Sequence, residues 1–175
     1  MVLRPIMVQP RAGSHSAASS RPDPKLRAWV GVVSRAHVQR GVAGGFAQVC
    51  HGKRAPLARM GSGDWFVYYS PTTEFKGGLP LRAFTAIGRI RTDVTYAFDM
   101  GEGFVPYRRD IAYEGVLREV PVQELSRELR FIRENPNWGM LARRGLFEIP
   151  LEDMRAIALA LLGPAHPALG TLRAK

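Results

Sequence analysis

The 175-residue chain has a single cysteine, Cys50, so no disulfide can form within it. Its four histidines, His15, His37, His51 and His166, lie far apart and show none of the spacings of a zinc site. No metal and no cofactor is therefore expected. No apolar run approaches the ~20 residues of a bilayer-spanning helix, so no membrane partner is expected. Neither a Gly-x-Ser-x-Gly elbow nor a phosphate-binding Gly-Lys-Ser loop occurs, and the carboxylates are not clustered. No internal repeat is visible. A lone thiol without partners suits a reducing compartment, and a cytoplasmic protein is expected. Acidic residues are the scarce charge: 15 stand against 25 lysines and arginines, a formal net charge of +10. Removing the basic first 27 residues leaves +6 on the rest. The folded part is thus basic in its own right, which favours a polyanionic partner.

The length allows one domain with a substantial core. Residues 1–27 are rich in Pro, Ser, Ala and Arg and lack the apolar core of a secretory signal. They are expected to be a disordered basic tail, followed by a domain over 28–162 and a second, shorter tail over 163–175.

The spacing of apolar residues predicts a buried strand over 28–33, then a helix over 35–42 capped by Ser34 and ended by Gly41, Gly44 and Gly45. A second strand is expected over 46–50 and a helical turn over 56–60. Residues 65–70 read as a strand that Pro71 stops. Its alternation puts Trp65, Val67 and Tyr69 on one face and Phe66, Tyr68 and Ser70 on the other. A long strand follows over 81–91, then a hairpin of 95–100 with 104–107 around Gly101-Glu102-Gly103, and a further sheet segment within 111–120. Helical periodicity returns at Val122, Leu125, Leu129 and Ile132; short elements follow over 137–144 and 146–149, and a helix over 151–162. Short strands, frequent turns and peripheral helices predict an α+β domain with a small, strongly bent sheet or barrel.

Six segments carry a family resemblance: WVGVVSRAHV (29–38), GGFAQVCHGKRAPLARM (44–60), GDWFVYYSP (63–71), LRAFTAIGRI (81–90), GFVPYRRD (103–110) and NWGMLARRGLFEI (137–149). In this order and at these spacings they closely resemble the EVE domain proteins, within the PUA-like superfamily. The resemblance covers residues 28–160. It implies a PUA-like fold, a small bent β-barrel with helices packed around it. Related modules, the YTH and SRA domains, hold a modified base in a pocket of rings and backbone polar groups. By that analogy the expected function is a non-catalytic reader of a modified base in DNA or RNA.

A base reader must unstack its base, which costs a few kcal/mol; aromatic stacking recovers roughly 1–3 kcal/mol per base. Candidate stacking rings are Trp29, Trp65, Tyr68, Tyr69, Tyr107 and Trp138, although strand aromatics, Trp65 above all, commonly serve the core. Ser34, Gln48 and Ser70 suit edge reading, and Lys53, Arg54, Arg108, Arg109, Arg143 and Arg144 suit phosphates. In PUA-like modules the pocket sits where the end of the first strand meets later strands. Transferred to this sequence, that places Val33, Ser34, Cys50, His51, Lys53, Tyr69, Ser70 and Pro71 around one cleft, with Trp138 as a wall. Two alternatives stand beside this one. One is an enzyme using the adjacent Cys50 and His51; in an extended segment neighbouring side chains point apart, which weighs against it. The other is an adaptor module holding a metabolite or a peptide.

Overall fold

The computed structural model describes residues 25–172. Most of the expected N-terminal tail lies outside them. Arg27, its last residue, belongs to the fold: its N–H donates to Asp64 Oδ1 (3.1 Å) and its guanidinium to Glu148 Oε1 (3.0 Å).

The elements in chain order are β1 (Ala28–Val32), α1 (Arg35–Gly44), β2 (Phe46–Ala47), α2 (Arg54–Leu57), β3 (Trp65–Thr72), β4 (Pro80–Ala97), β5 (Tyr107–Tyr113), β6 (Val120–Pro121), α3 (Val122–Leu125), α4 (Arg130–Arg133), α5 (Trp138–Ala142), β7 (Leu146–Ile149) and α6 (Leu151–Leu162). The seven strands form one mixed sheet in the order β2-β5-β4-β3-β1-β7, with β6 also on β4. Only β1 and β3 pair in parallel. The end strands β2 and β7 do not pair with each other, so the α+β sheet is open rather than a closed barrel.

Curvature comes from irregular pairing. β4 is a single 18-residue strand that runs through the expected 81–91 strand into the first arm of the hairpin, as far as Ala97. Its register against β5 slips between Ile90 and Thr95, and residues 91–94 bulge into solvent. β3 runs past Pro71 to Thr72, with a register shift that absorbs the missing N–H.

The alternation expected for β3 is present, but both faces are buried. Trp65, Val67 and Tyr69 pack with Ala28, Val30, Phe84 and the α6 residues Met154, Ile157 and Leu161. Phe66 and Tyr68 pack on the other face with Trp29, Ile111, Val38 of α1 and Leu57 of α2. Each such large apolar side chain contributes about 1.5–3 kcal/mol on burial. The stretch after α6 is not a loose tail: residues Pro167–Leu172 form a 3-10 helix against it, with Leu172 buried.

Candidate nucleic-acid interface

The strand pattern gathers three strand ends at one edge of the sheet. β1 is parallel to β3 and antiparallel to β7, so the last residues of β1 and β3 lie beside the first of β7. The N–H of Val32 donates to the Gly145 carbonyl (2.9 Å), and that of Val33 to the Tyr69 carbonyl (3.3 Å). Two recesses of about 770 and 580 Å³ open side by side there. They share Val32, Ala142 and Arg143 as a wall. The single cleft expected from the sequence is therefore divided. The turn from α5 into β7 is pinned between β1 and the loop after β2, where the Cys50 thiol donates to the Arg144 carbonyl (3.3 Å).

The larger recess takes Tyr69, Pro71 and Trp138 from the expected set and adds Arg82, Gln123 and Ser126. Trp138 is half-buried, with its ring edge-on to Tyr69 (5.5 Å between centroids) and Phe131 (5.9 Å). The smaller recess takes Val33, Ser34, Gln48, Cys50, His51, Lys53 and Arg144, and adds His37, Arg40, Phe75, Met100 and Phe104. No aspartate or glutamate is among the described residues lining either recess.

Several expected site residues lie elsewhere. Ser70 is sealed in the sheet, its hydroxyl 2.8 Å from that of Thr85. Arg109 is 1% exposed and serves as internal scaffolding. It donates to the Leu57 carbonyl (2.6 Å) at the end of α2 and to the Thr92 carbonyl (3.0 and 3.1 Å) in the β4 bulge, so it does not stand on a phosphate rim. Arg108 is also buried, with its guanidinium between the rings of Phe46 (3.8 Å) and Phe98 (3.6 Å). Burial lowers its pKa. Arg54 is exposed but lines neither recess; its Nε donates to Thr95 Oγ1 (3.2 Å). Among the candidate rings, Trp29, Trp65 and Tyr68 are core residues. Phe75 (74% exposed) and Phe104 (46%) are the rings presented to solvent at the smaller recess. The sequence signal for Phe75 is faint: one large ring in a polar, Gly-flanked loop, TTEFKGG.

The loop after β2 is unusual. It is not strand but a tight turn in which Cys50 (φ 51°), His51 (φ 56°) and Gly52 (φ 77°) are all left-handed. Non-glycine residues in that region cost roughly 1–2 kcal/mol each, and such strain gathers at functional loops. Gly52 is required: a Cβ there would lie 2.3 Å from Pro106 Cβ.

The polar groups of the smaller recess are well defined. Ser34 starts α1 with an extended backbone, yet its side chain makes no capping bond. His37 Nε2 lies 3.1 Å from the Gln48 carbonyl. A carbonyl only accepts, so Nε2 carries the proton and donates. Burial, together with Arg40 and Arg108, holds the His37 ring below its usual pKa, so it is neutral at neutral pH. The Gln48 N–H donates to the Tyr68 hydroxyl (3.1 Å), which donates back to the Gln48 carbonyl (3.3 Å).

Cys50 and His51 have different partners. The thiol faces the Arg144 carbonyl, while the exposed His51 ring sits edge-on to Phe75 (6.2 Å). Burial pushes the Cys50 thiol up, against the opposing pull of Lys53 and Arg59, so it is protonated at neutral pH. Alkylation of Cys50 by iodoacetamide at pH 7 is accordingly expected to be slower than that of free cysteine. Labelling faster than free cysteine would restore the thiol-enzyme reading.

Among the described residues no three His, Cys, Asp or Glu side chains gather to hold a metal, and no helix is long and apolar enough to cross a membrane. The fold and site together define a small α+β module with paired basic recesses at a sheet edge, lined by no carboxylate among the described residues. A family model described as "EVE domain" matches residues 27–160, and the chain belongs to the EVE domain family. It is 47% identical over 133 residues to the UPF0310 protein YdcG of Bacillus subtilis, covering 76% of this chain and 90% of that one. It is also 47% identical over 145 residues to the UPF0310 protein msl3206 of Mesorhizobium japonicum, covering 82% and 97%. The NMR structure of Rpa0253 from Rhodopseudomonas palustris aligns with a TM-score of 0.49 at 16% identity, covering 86% of this chain and 97% of that chain.

Proposed function

We propose that the protein is a non-catalytic, cytoplasmic reader of a modified base in DNA or RNA. The observation that carries this is the lining of the paired recesses, in which cations and rings occur together and the described residues include no carboxylate. In this reading the base leaves its strand and enters the 580 Å³ recess, between the rings of Phe75 and Phe104 and above Ser34, Gln48 and His51. That volume is within the ~300–1,000 Å³ of sites that bury drug-sized ligands. It leaves space around a bare ring for a substituent. A neighbouring nucleotide lies in the larger recess against Trp138 and Tyr69. Arg143, on the shared wall, meets the phosphate between them, with Lys53 and Arg144 along the strand. Enzyme chemistry is disfavoured because Cys50 and His51 are turned to other partners.

The test is binding of oligonucleotides that differ only in one methylated or hydroxymethylated base, at two salt concentrations. Affinity should fall with salt for all of them, while the modified strand keeps a roughly constant advantage. Equal affinity across the panel, with all binding lost at moderate salt, would reduce the protein to a non-specific polyanion binder. Trp138→Ala should weaken binding of every strand about tenfold, within the ~1–3 kcal/mol of one base–aromatic stack.

A further inference from the structure

In the pairing of β3 with β4, Ser70 meets Ala83 and Thr72 meets Pro80, so one β3 residue, Pro71, stands against two of β4, Leu81 and Arg82. In this bulge Arg82 takes a left-handed φ of 52°, which a side chain disfavours. Bulges re-aim side chains, and such strain gathers at functional positions. The Arg82 side chain lines the larger recess beside Tyr69 and Pro71. Arg143 stands on the wall that the two recesses share, whereas Arg82 lines the larger one alone. Both arginines are exposed. Among the described residues neither has a carboxylate partner, while Arg27, Arg35, Arg118 and Arg130 each hold a glutamate. Burial pushes the Tyr69 hydroxyl up and Arg82 pulls it back only in part, so the phenol is neutral at neutral pH and offers Arg82 no anion. The rings of Tyr69 and Trp138 stand 71° apart and make a corner, so a flat ring that stacks on one meets the other edge-on.

We propose that Arg82 and Arg143 clasp the phosphates on the two sides of the nucleotide next to the read base, so that the larger recess holds this neighbour by its backbone and its ring face whatever base it carries. The proposal rests on the reading of the smaller recess given above and adds a second contact, on one side of the read base only. Guanidinium groups without a carboxylate suit phosphate, which they meet with paired N–H donors. Stacking on an indole tolerates every base. The exposed Gln123 amide in the same recess carries both a donor and an acceptor and selects no single base. The preferred partner is therefore a strand that continues past the modified base, in one direction, and not a free modified nucleoside.

The experiment is fluorescence anisotropy with the full chain, Arg82→Gln and Trp138→Ala. The probe is the tightest binder among single strands carrying one methylated or hydroxymethylated base. With that base in the middle of the strand, Arg82→Gln should lower affinity about fivefold at low salt and flatten the dependence of log K on log salt by ~0.7, the share of one phosphate contact. With the modified base moved to the 5′ end or to the 3′ end, the neighbour on one side is missing. At one of the two ends Arg82→Gln should cease to matter, and at the other it should keep its full effect. An abasic nucleotide placed beside the modified base, on each side in turn, separates ring from phosphate. On one side it should weaken binding about tenfold, the scale of one stack, and Trp138→Ala should then add nothing while Arg82→Gln still costs its fivefold. An unchanged salt slope in Arg82→Gln overturns the proposal. So does an Arg82→Gln effect that is equal at both strand ends, or one that vanishes with the abasic neighbour. Arg82→Gly relieves the left-handed backbone and should unfold no earlier than Arg82→Gln, yet bind as weakly, since both lack the charge; native binding by Arg82→Gly also overturns the proposal. If modified and unmodified strands bind equally and all binding vanishes at moderate salt, the base-reading proposal itself fails. A preference for the modified base that persists while Arg82→Gln changes nothing leaves that reading standing and removes only this one.

Discussion

Gly52→Ala is expected to destabilise the protein by ~2–5 kcal/mol and to abolish specific binding, through two costs that act together. The first is conformational, since φ is 77° at Gly52. The second is steric: the new Cβ would lie 2.3 Å from Pro106 Cβ and 2.8 Å from its Cα, and the ring of a proline cannot swing aside. Gly77→Ala separates the two costs. Gly77 has φ 70° but no atom within 4 Å of the added Cβ, so only the conformational cost of ~1–2 kcal/mol applies. Thermal unfolding of both variants gives the difference. If Gly52→Ala unfolds no earlier than Gly77→Ala, the tight packing of the Cys50–Gly52 turn against Pro106 is wrong. The consequence for binding follows from position: Cys50, His51, Gly52 and Lys53 together line the smaller recess, so a displaced turn changes its shape.

Replacing Lys53, Arg143 and Arg144 together by Gln should lower affinity for every strand by a factor of 100 or more at low salt. It should also flatten the dependence of log K on log salt by about 2, since each lost phosphate contact on a single strand removes ~0.7 from the slope. All three residues are exposed and surround the smaller recess. They hold no part of the core, so the fold should survive. The triple Arg35→Gln, Arg118→Gln, Arg130→Gln makes the same charge change where each arginine already pairs with a glutamate, Glu119, Glu124 and Glu134 respectively. Its salt slope should stay close to native. Equal slopes in the two triples would mean that the polyanion is held by the overall charge and not at the recesses.

Much of the local structure was legible. The alternation of Trp65 to Tyr69 correctly divides those side chains between two faces, because strand geometry forces period two whatever lies above or below. Ser34 marks the start of α1, and Gly45, at φ 67°, ends it, since only a residue tolerant of the left-handed region closes a helix that way. The strand expected over 46–50 ends at Ala47, because β-rich composition does not announce the left-handed turn at Cys50, His51 and Gly52, two of which are not glycine. Arg108-Arg109 illustrates a deeper limit. In sequence two adjacent arginines look like a phosphate rim. Their burial depends on α2, the β4 bulge, Phe46 and Phe98, which arrive from distant parts of the chain.

The site follows the same division. The resemblance implied a cleft bordered by Val33, Ser34, Cys50, His51 and Lys53, and these residues line the smaller recess. That Phe75 and Phe104 face the recess while Trp29 and Tyr68 do not was invisible, because both kinds of ring are equally apolar and only packing decides which are covered.

By itself the sequence determined the α+β class, the family, the excess of positive charge and the order of most elements, since these depend on composition and on short-range periodicity. Tertiary structure alone decided that the expected cleft is divided between two recesses, which arginines are scaffolding, and which rings are covered. Those outcomes depend on which side chains meet across tens of residues, and no local pattern encodes such meetings.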